Sequence, residues 1–135
     1  MTIVKNLHDQ TSVAIGTPGD RVGIIEKAGS VTLVPINASP TLPALRLSQY
    51  SPGIPDNAET DDAFGTALSY LPGSTEGLVV GAPHETIGSN TWTGSVTYTR
   101  NLTTWSPLSL AYLSPGTSIS FASFGGVLAQ PTTAR

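Results

Sequence analysis

The chain contains one pattern of apolar, glycine and proline residues twice, and this repeat limits the folds that it can adopt. Residues 77–83 read GLVVGAP and are followed by GSVT at residues 94–97. Residues 12–18 read SVAIGTP and are followed by the same GSVT at residues 29–32. The spacing from Gly16 to Gly81 therefore equals the spacing from Gly29 to Gly94. A pattern that recurs at a fixed period of this size is typical of stacked structural units.

A second pair of motifs shows where the spacing changes. Residues 63–65 read AFG and residues 123–125 read SFG, and this pair is slightly closer in sequence than the first two pairs. The spacing between the two repeats is thus constant for the glycine motifs and shorter for the Phe-Gly motif. The change in length therefore lies in a loop between these motifs. Stacked units tolerate insertions in their loops, so this shift agrees with a repeat fold.

The second repeat divides into four predicted strands. Residues 77–81 form a wholly apolar run that ends before a proline, as in a central strand. Residues 94–100 alternate β-branched or aromatic residues with threonines, and residues 64–69 and 108–113 supply two further strands. Four strands joined in order form a meander, and a meander repeated at this period predicts an all-β fold with about two propeller blades.

Composition excludes several classes of partner. The formal net charge is −3 with six lysines and arginines in total, so no basic surface is expected for nucleic acid. The chain has no cysteine for a disulfide or a thiolate metal site. No apolar run reaches the length of a membrane helix, and residues 1–5 lack the apolar core of a signal peptide. We expect neither nucleic acid nor a membrane as partner.

These motifs resemble those of a known family. Phe64-Gly65 followed by Gly81-Ala82-Pro83 is similar to the FG-GAP repeat of integrin-α-type β-propellers, with residues 16–18 and 124–125 as degenerate copies. Residues 53–65 are similar to the linker before the Phe-Gly strand in secreted actinobacterial members, although Asp61 replaces the usual glycine. The resemblance extends over residues 12–129.

The resemblance implies a fold and a class of function. It implies an extracellular, non-enzymatic and lectin-like binding module that recognises a protein or a glycan through loops at one rim of a propeller. Two alternatives stay open from the residues alone. One is a purely structural piece of a larger propeller, and the other is a hydrolase whose polar site has no recognised motif.

The family's calcium loop is not visible in this chain. The resemblance implies an Asp-x-Asp-Gly-Asp loop between the Phe-Gly and Gly-Ala-Pro strands, but residues 70–76 and 5–11 carry one carboxylate each. Calcium needs six to eight oxygen ligands. We therefore expect no cofactor and no metal site, and a calcium-independent protein.

Two loops carry the candidate binding residues. Asp56, Glu59, Asp61 and Asp62 are close in sequence and could bind a cation, although a solvated linker is the favoured interpretation. His84 and Glu85 follow the Gly-Ala-Pro motif and could form a base and its orienting partner. Neighbours on a loop point apart and the chain has no Gly-x-Ser-x-Gly motif, so we expect no catalytic residue.

The two tryptophans are further candidates. An exposed tryptophan can stack on a sugar or on a protein partner, whereas a buried one covers the apolar face of a sheet. The sequence leaves both roles open for Trp92 and favours the buried role for Trp105. The predicted binding surface therefore consists of the loops at residues 56–62 and 84–92.

The number of repeats predicts self-assembly. The predicted units are residues 1–62, residues 63–122 and a terminal Phe-Gly strand at residues 123–135. Two blades cannot close a ring that takes four to eight. We expect identical copies to close a homo-oligomeric ring, with three copies favoured over four, or else a longer propeller to supply the other blades. The predicted contacts between copies are Phe124, Gly125, Gly126, Val127 and Leu128, together with Ile3 and Val4.

Overall fold

The protein consists of two antiparallel sheets of four strands each. The computed structural model describes residues 1–7, 10–36, 43–109 and 123–129. The strands of the first sheet are β1 (Thr2–Leu7), β2 (Gln10–Thr17), β3 (Ser30–Pro35) and β4 (Leu45–Leu47). Those of the second sheet are β5 (Ala67–Leu71), β6 (Gly77–Ala82), β7 (Ser95–Thr99) and β8 (Trp105–Ser109). Each sheet is a simple meander in chain order, so the prediction of an all-β fold is confirmed.

The predicted strands differ from the observed ones at the ends of the second repeat. The first strand begins at Ala67 rather than at Phe64, because Ala63 and Gly65 both have positive φ angles that interrupt the extended backbone. The fourth strand begins at Trp105 rather than at residue 108, and it contains Pro107. Proline is tolerated there because β8 is the edge strand of the sheet that the described residues form. Residues 110–113 of that predicted strand lie outside the described residues.

One apolar core joins the two sheets. Phe64 and Leu78 are its largest fully buried apolar side chains, and Trp105 contributes a mostly buried ring from β8. The buried side chains of both sheets therefore pack into the same cluster. The burial of Trp105 agrees with the role that the sequence favoured for it. The first sheet contributes Val4, Ala14, Val31, Leu33 and Leu47, and the second contributes Leu68, Leu78, Val80 and Ala82.

A close backbone contact fastens the Phe-Gly motif to the sheet before it. Gly29 forms a parallel bridge with Phe64, and Gly94 forms the equivalent bridge with Phe124. Both glycines have φ of +85°, and a Cβ atom on either would lie 2.2 Å from the carbonyl oxygen of the phenylalanine. Only glycine permits this approach and this φ angle. The same joint thus occurs in both repeats, which explains why these glycines recur.

The segment predicted to contact a neighbouring copy lies against the second sheet of its own chain. The Phe124 N–H donates to the Thr93 carbonyl at 2.9 Å, and the Ser69 hydroxyl donates to the Ala129 carbonyl at 2.8 Å. Within this segment Val127 is 89% exposed. The other predicted contacts differ in exposure: Gly125 is buried, whereas Phe124, Gly126 and Leu128 are half-buried.

The two predicted contacts in β1 point in different directions. Ile3 is more than half exposed, whereas Val4 is fully buried in the core of its own chain. Adjacent residues of a strand face opposite sides of a sheet, so the two cannot share one surface. The prediction that Val4 forms a contact between copies is therefore corrected. Separately, none of the helical segments among the described residues is long and apolar enough to cross a membrane.

The loop between β5 and β6, which lacks the aspartate motif, is a short turn. Between β5 and β6 the chain forms a single turn of 3₁₀ helix at Gly73–Thr75. Glu76 is the carboxylate of this turn, and it accepts a hydrogen bond from the Tyr70 hydroxyl. The corresponding hairpin of the first sheet joins β1 to β2 and includes residues 8 and 9, which lie outside the described residues.

Candidate functional site

The candidate site forms where one extended segment runs between two loops. The loops are residues 18–29, between β2 and β3, and residues 83–94, between β6 and β7. The Asp61 N–H donates to the Glu26 carbonyl at 3.1 Å, and the Ala63 N–H donates to the Lys27 carbonyl at 3.1 Å. On the other side, the His84 N–H donates to the Asp62 carbonyl at 3.3 Å. The segment thereby joins equivalent loops of both sheets.

An open groove follows this junction on the surface. It has a volume of about 400 Å³. The Lys27 ammonium lies 3.4 Å from a carboxylate oxygen of Asp61 on its wall, so the groove presents both charges. The groove unites residues from the predicted loops at 56–62 and 84–92 with residues from the first repeat. Its lining consists of Pro18, Gly19, Lys27, Asp61, Ala63, His84 and Trp92.

His84 and Trp92 form a stacked aromatic pair in this groove. Their ring centroids are 4.3 Å apart and their planes differ by 17°. The His84 Nδ1 also lies 3.0 Å from the Asp61 carbonyl oxygen, which fixes the imidazole. Trp92 remains 36% exposed, so the indole is available in part to a ligand. The structure thus places Trp92 at the surface, the first of the two roles that the sequence left open.

Trp92 has a counterpart in the first repeat. Lys27 occupies the equivalent position there, and both residues have a positive φ angle, 50° for Lys27 and 54° for Trp92. The two side chains occupy equivalent turns of the two loops, and both line the groove. The repeat therefore supplies a cationic and an aromatic group to one surface. The sequence analysis did not select Lys27, although the period of the repeat pointed to it.

Two of the candidate acids are buried rather than solvated. Asp62 is 1% exposed and Glu85 is 0% exposed. Each directly follows a groove residue, Asp61 or His84, and is turned toward the interior. Asp56 is exposed and Glu59 is also exposed, as the solvated-linker interpretation requires. That interpretation was wrong for Asp62, because the hydrogen bonds of residues 61–64 hold the end of the linker between the two loops.

Burial changes the acidity of both groups. The pKa of Asp62 is raised to about 7, mainly by burial; a hydrogen bond from the Glu59 N–H opposes this rise and the negative charge of Glu59 adds to it. Burial raises the pKa of Glu85 to about 8, with the charge of Asp62 as the next cause. The two carboxyl groups therefore titrate as a coupled pair near neutral pH.

Gln49 completes this buried group from the first turn after β4. It is 5% exposed, and its amide nitrogen donates a hydrogen bond to a carboxylate oxygen of Glu85. Sequence analysis missed Gln49, since a glutamine in a linker is usually solvated and carries no motif. Gln49 and Glu85 are 36 residues apart in the sequence, so no local pattern indicates that they are in contact.

The acid of the first repeat that is equivalent to Glu85 has a different environment. Asp20 occupies the position that Glu85 has in the second repeat, and it is partly exposed. The Ser30 hydroxyl donates to it at 2.6 Å, and the Arg46 guanidinium donates to the same oxygen at 2.5 Å. The hydrogen bond from Ser30, followed by that from Arg46, lowers the pKa of Asp20. The second repeat has thus replaced a paired surface acid with a buried one.

The chain matches no protein-family model, no curated protein and no solved structure. The functional assignment of the groove and of the buried acids therefore depends on their geometry.

Proposed function

We propose that the chain is a non-enzymatic, lectin-like module of the FG-GAP type, and that a glycan binds in the groove between the two loops. One observation carries this proposal. The stacked His84 and Trp92 rings lie in an open groove beside an ion pair, Lys27 and Asp61. The proposal places the module outside the cell, as the family resemblance implies.

The groove offers the two kinds of contact that a sugar ring needs. The indole has an apolar face and a polar N–H, so it can pack against the C–H face of a sugar. The Lys27 ammonium can donate to sugar hydroxyls, and the Asp61 carboxylate can accept from them. An aromatic surface with a few polar groups at its edge is the usual composition of a small-ligand site. A wholly apolar ligand would displace water from both charged groups without replacing its hydrogen bonds.

The propeller part of the proposal is supported by the equivalence of the two sheets. Both are four-stranded meanders, and each holds a Phe-Gly motif through a bridge to a glycine. In a propeller every blade contacts the next through the same joint, so one geometry repeated twice in one chain agrees with blades. The chemistry of the acids supports a non-enzymatic role. Asp62 and Glu85 have the raised pKa values of catalytic acids, but their burial keeps a substrate away from them.

Trp92→Ala is expected to weaken glycan binding at least tenfold. The substitution removes the aromatic surface while the strands of both sheets stay intact, because Trp92 lies in a loop. The measurement begins with a glycan array probed with the labelled protein. The strongest glycan is then titrated into wild type and variant by isothermal calorimetry. His84→Ala is expected to weaken binding by a smaller factor, since it supports the indole from one side.

The matched control is Tyr50→Ala. Tyr50 is also an exposed aromatic residue, but it does not line the groove. We expect it to bind the array glycan with wild-type affinity. Equal affinity of wild type and Trp92→Ala would contradict the groove as the site. If the protein binds no glycan but binds a peptide, and Trp92→Ala loses that peptide, the groove is a binding site for a protein partner.

We also propose that identical copies assemble into a ring, with three copies favoured. Two sheets are fewer than the four to eight blades of a closed propeller. Val127 and Ile3 are large exposed apolar residues at positions predicted to face a neighbour. Light scattering is expected to give about three times the chain mass of 13.9 kDa. Val127→Asp is expected to reduce this mass to that of one chain.

Ile24→Asp is the control for this prediction. Ile24 is 83% exposed but lies in the 18–29 loop, away from the predicted contacts. We expect it to leave the mass of the assembly unchanged. A wild-type mass near 13.9 kDa at micromolar concentration, with a cooperative thermal transition, would exclude the ring.

A further inference from the structure

Three carboxylate groups converge on the inner side of the junction. One carboxylate oxygen from each of Glu59, Asp62 and Glu85 lies within 4.8 Å of the other two. Glu59 is exposed, whereas Asp62 and Glu85 are buried, so the cluster extends from the surface inward. The backbone N–H of Glu59 donates to one Asp62 oxygen at 2.5 Å, which fixes that carboxylate. The cluster is thus held in place before any ligand binds.

Several oxygen atoms here are buried without a hydrogen bond. Among the described residues, no donor reaches the Asp62 Oδ1, the Glu85 Oε1 or the Gln49 Oε1. Gln49 is not one of the three acids, but its amide nitrogen donates a hydrogen bond to Glu85. Its amide oxygen is a further buried acceptor without a hydrogen bond. A buried oxygen without a hydrogen bond destabilises the folded state. These acceptors belong to Asp62 and Glu85, whose carboxylates converge, and to Gln49, whose amide nitrogen contacts Glu85, and they favour a ligand that accepts electron pairs.

Basic side chains do not neutralise this cluster. The ion pairs of the described residues join Arg21 to Glu26, Lys27 to Asp61 and Arg46 to Asp20. None of them includes an acid of the cluster. Buried carboxylates are normally paired or bound to a metal ion. A cation from solution would supply the positive charge once these acids release their protons.

We propose that Glu59, Asp62 and Glu85 bind one calcium ion, with the Gln49 side-chain oxygen as a neutral additional ligand. Two oxygens bound to one calcium ion lie at most about 4.6–5.2 Å apart, since each bond is about 2.3–2.6 Å long. The limit for magnesium is about 4.0–4.2 Å. The oxygens lie within 4.8 Å of one another, which is inside the span that one calcium ion can bridge.

This site is different from the two hairpins that lack the aspartate motif. The expectation of a calcium-independent protein followed from those hairpins, whereas the proposed ligands come from the linker and from the 83–94 loop. The proposal also goes beyond glycan recognition, because it does not depend on what occupies the groove. An ion here would fasten the linker to the 83–94 loop and so fix the position of His84.

The experiment measures calcium binding directly, in the absence of any glycan. Protein treated with EDTA and then freed of it is titrated with calcium chloride by isothermal calorimetry, and its thermal midpoint is recorded in parallel. We expect one calcium ion per chain and a midpoint that rises as calcium saturates the site. Concentrations up to about 10 mM exceed the weakest dissociation constants of protein calcium sites about tenfold. Magnesium chloride is expected to bind at least tenfold more weakly.

Two variants and one control locate the ion. Asp62→Asn and Glu85→Gln are each expected to weaken calcium binding at least tenfold, and Asp56→Asn is expected to leave it unchanged. Asp56 carries the same charge on the same linker but lies outside the cluster. Absence of calcium binding by the wild type would overturn the proposal, whether or not the variants fold. Wild-type affinity in both cluster variants, or preference for magnesium, would also overturn it.

Discussion

Phe64→Ala is expected to lower the free energy of unfolding by about 3–5 kcal/mol. Phe64 is 1% exposed and lies in the core that joins both sheets. Its removal leaves a cavity at the joint, where the rigid bridge between residue 64 and Gly29 limits any collapse of the backbone. This substitution therefore loses the transfer energy of the ring and also the packing of both sheets around it. Urea unfolding followed by far-ultraviolet circular dichroism measures the change.

Two further variants separate this effect from the loss of any aromatic ring. Phe64→Leu keeps most of the apolar volume and is expected to cost less than half as much as Phe64→Ala. Tyr50→Ala removes an exposed ring and is expected to change the free energy of unfolding by less than about 0.5 kcal/mol. A cost below about 1 kcal/mol for Phe64→Ala would show that the joint does not hold the two sheets together.

The metal-free protein is expected to become less stable as the pH rises from about 4 to about 8. The unfolded chain ionises Asp62 and Glu85 near their usual pKa values of 3.8 and 4.5, whereas the folded chain keeps them protonated up to about pH 7 and 8. Between these limits the folded state binds more protons than the unfolded state. The free energy of unfolding therefore falls with rising pH. The total loss is on the order of 5–10 kcal/mol.

The neighbouring charges act in the same direction. The negative charges of Glu59 and Asp56 raise the pKa of both buried acids, and that of Asp61 raises the pKa of Asp62, so these charges strengthen the effect. Asp20 has a lowered pKa and acts in the opposite sense, but it does so below pH 4. The decline between pH 4 and pH 8 therefore reports on the buried pair.

Urea unfolding in EDTA at a series of pH values tests this dependence. Asp62→Asn and Glu85→Gln each remove one titrating group and are expected to flatten the curve. At pH 8 each variant is expected to be more stable than the wild type, and at pH 4 nearly equal to it. Asp56→Asn is the control and is expected to retain most of the decline. A free energy of unfolding that stays constant or rises from pH 5 to pH 8 would contradict the assigned burial.

Local patterns in the sequence were enough to predict the two central strands of the second sheet and the order of its four strands. The apolar run at residues 77–81 and the alternation at residues 94–100 predicted β6 and β7 to within a residue at each end. These patterns indicate strands because the burial of a strand requires apolar residues at consecutive or alternate positions. The same reasoning misplaced the start of β5, because the positive φ angles of Ala63 and Gly65 come from the joint with the first sheet.

The candidate site was predicted in part by the repeat. The loops at residues 56–62 and 84–92 were selected from the sequence, and the structure brings both to one groove. The period of the repeat relates Lys27 to Trp92 and Asp20 to Glu85, but the sequence does not show that their environments differ. Asp20 differs from Glu85 because it pairs with Arg46, which is 26 residues away in the sequence.

By itself, the sequence determined an all-β chain of two similar four-stranded units, since strand periodicity and turn residues act over a few neighbours. Only the tertiary structure decided that Asp62 and Glu85 are buried and that Gln49 contacts Glu85. Those contacts join the linker to a loop of the second sheet. Burial of an acid depends on which distant segments exclude water from it, and no local pattern records that.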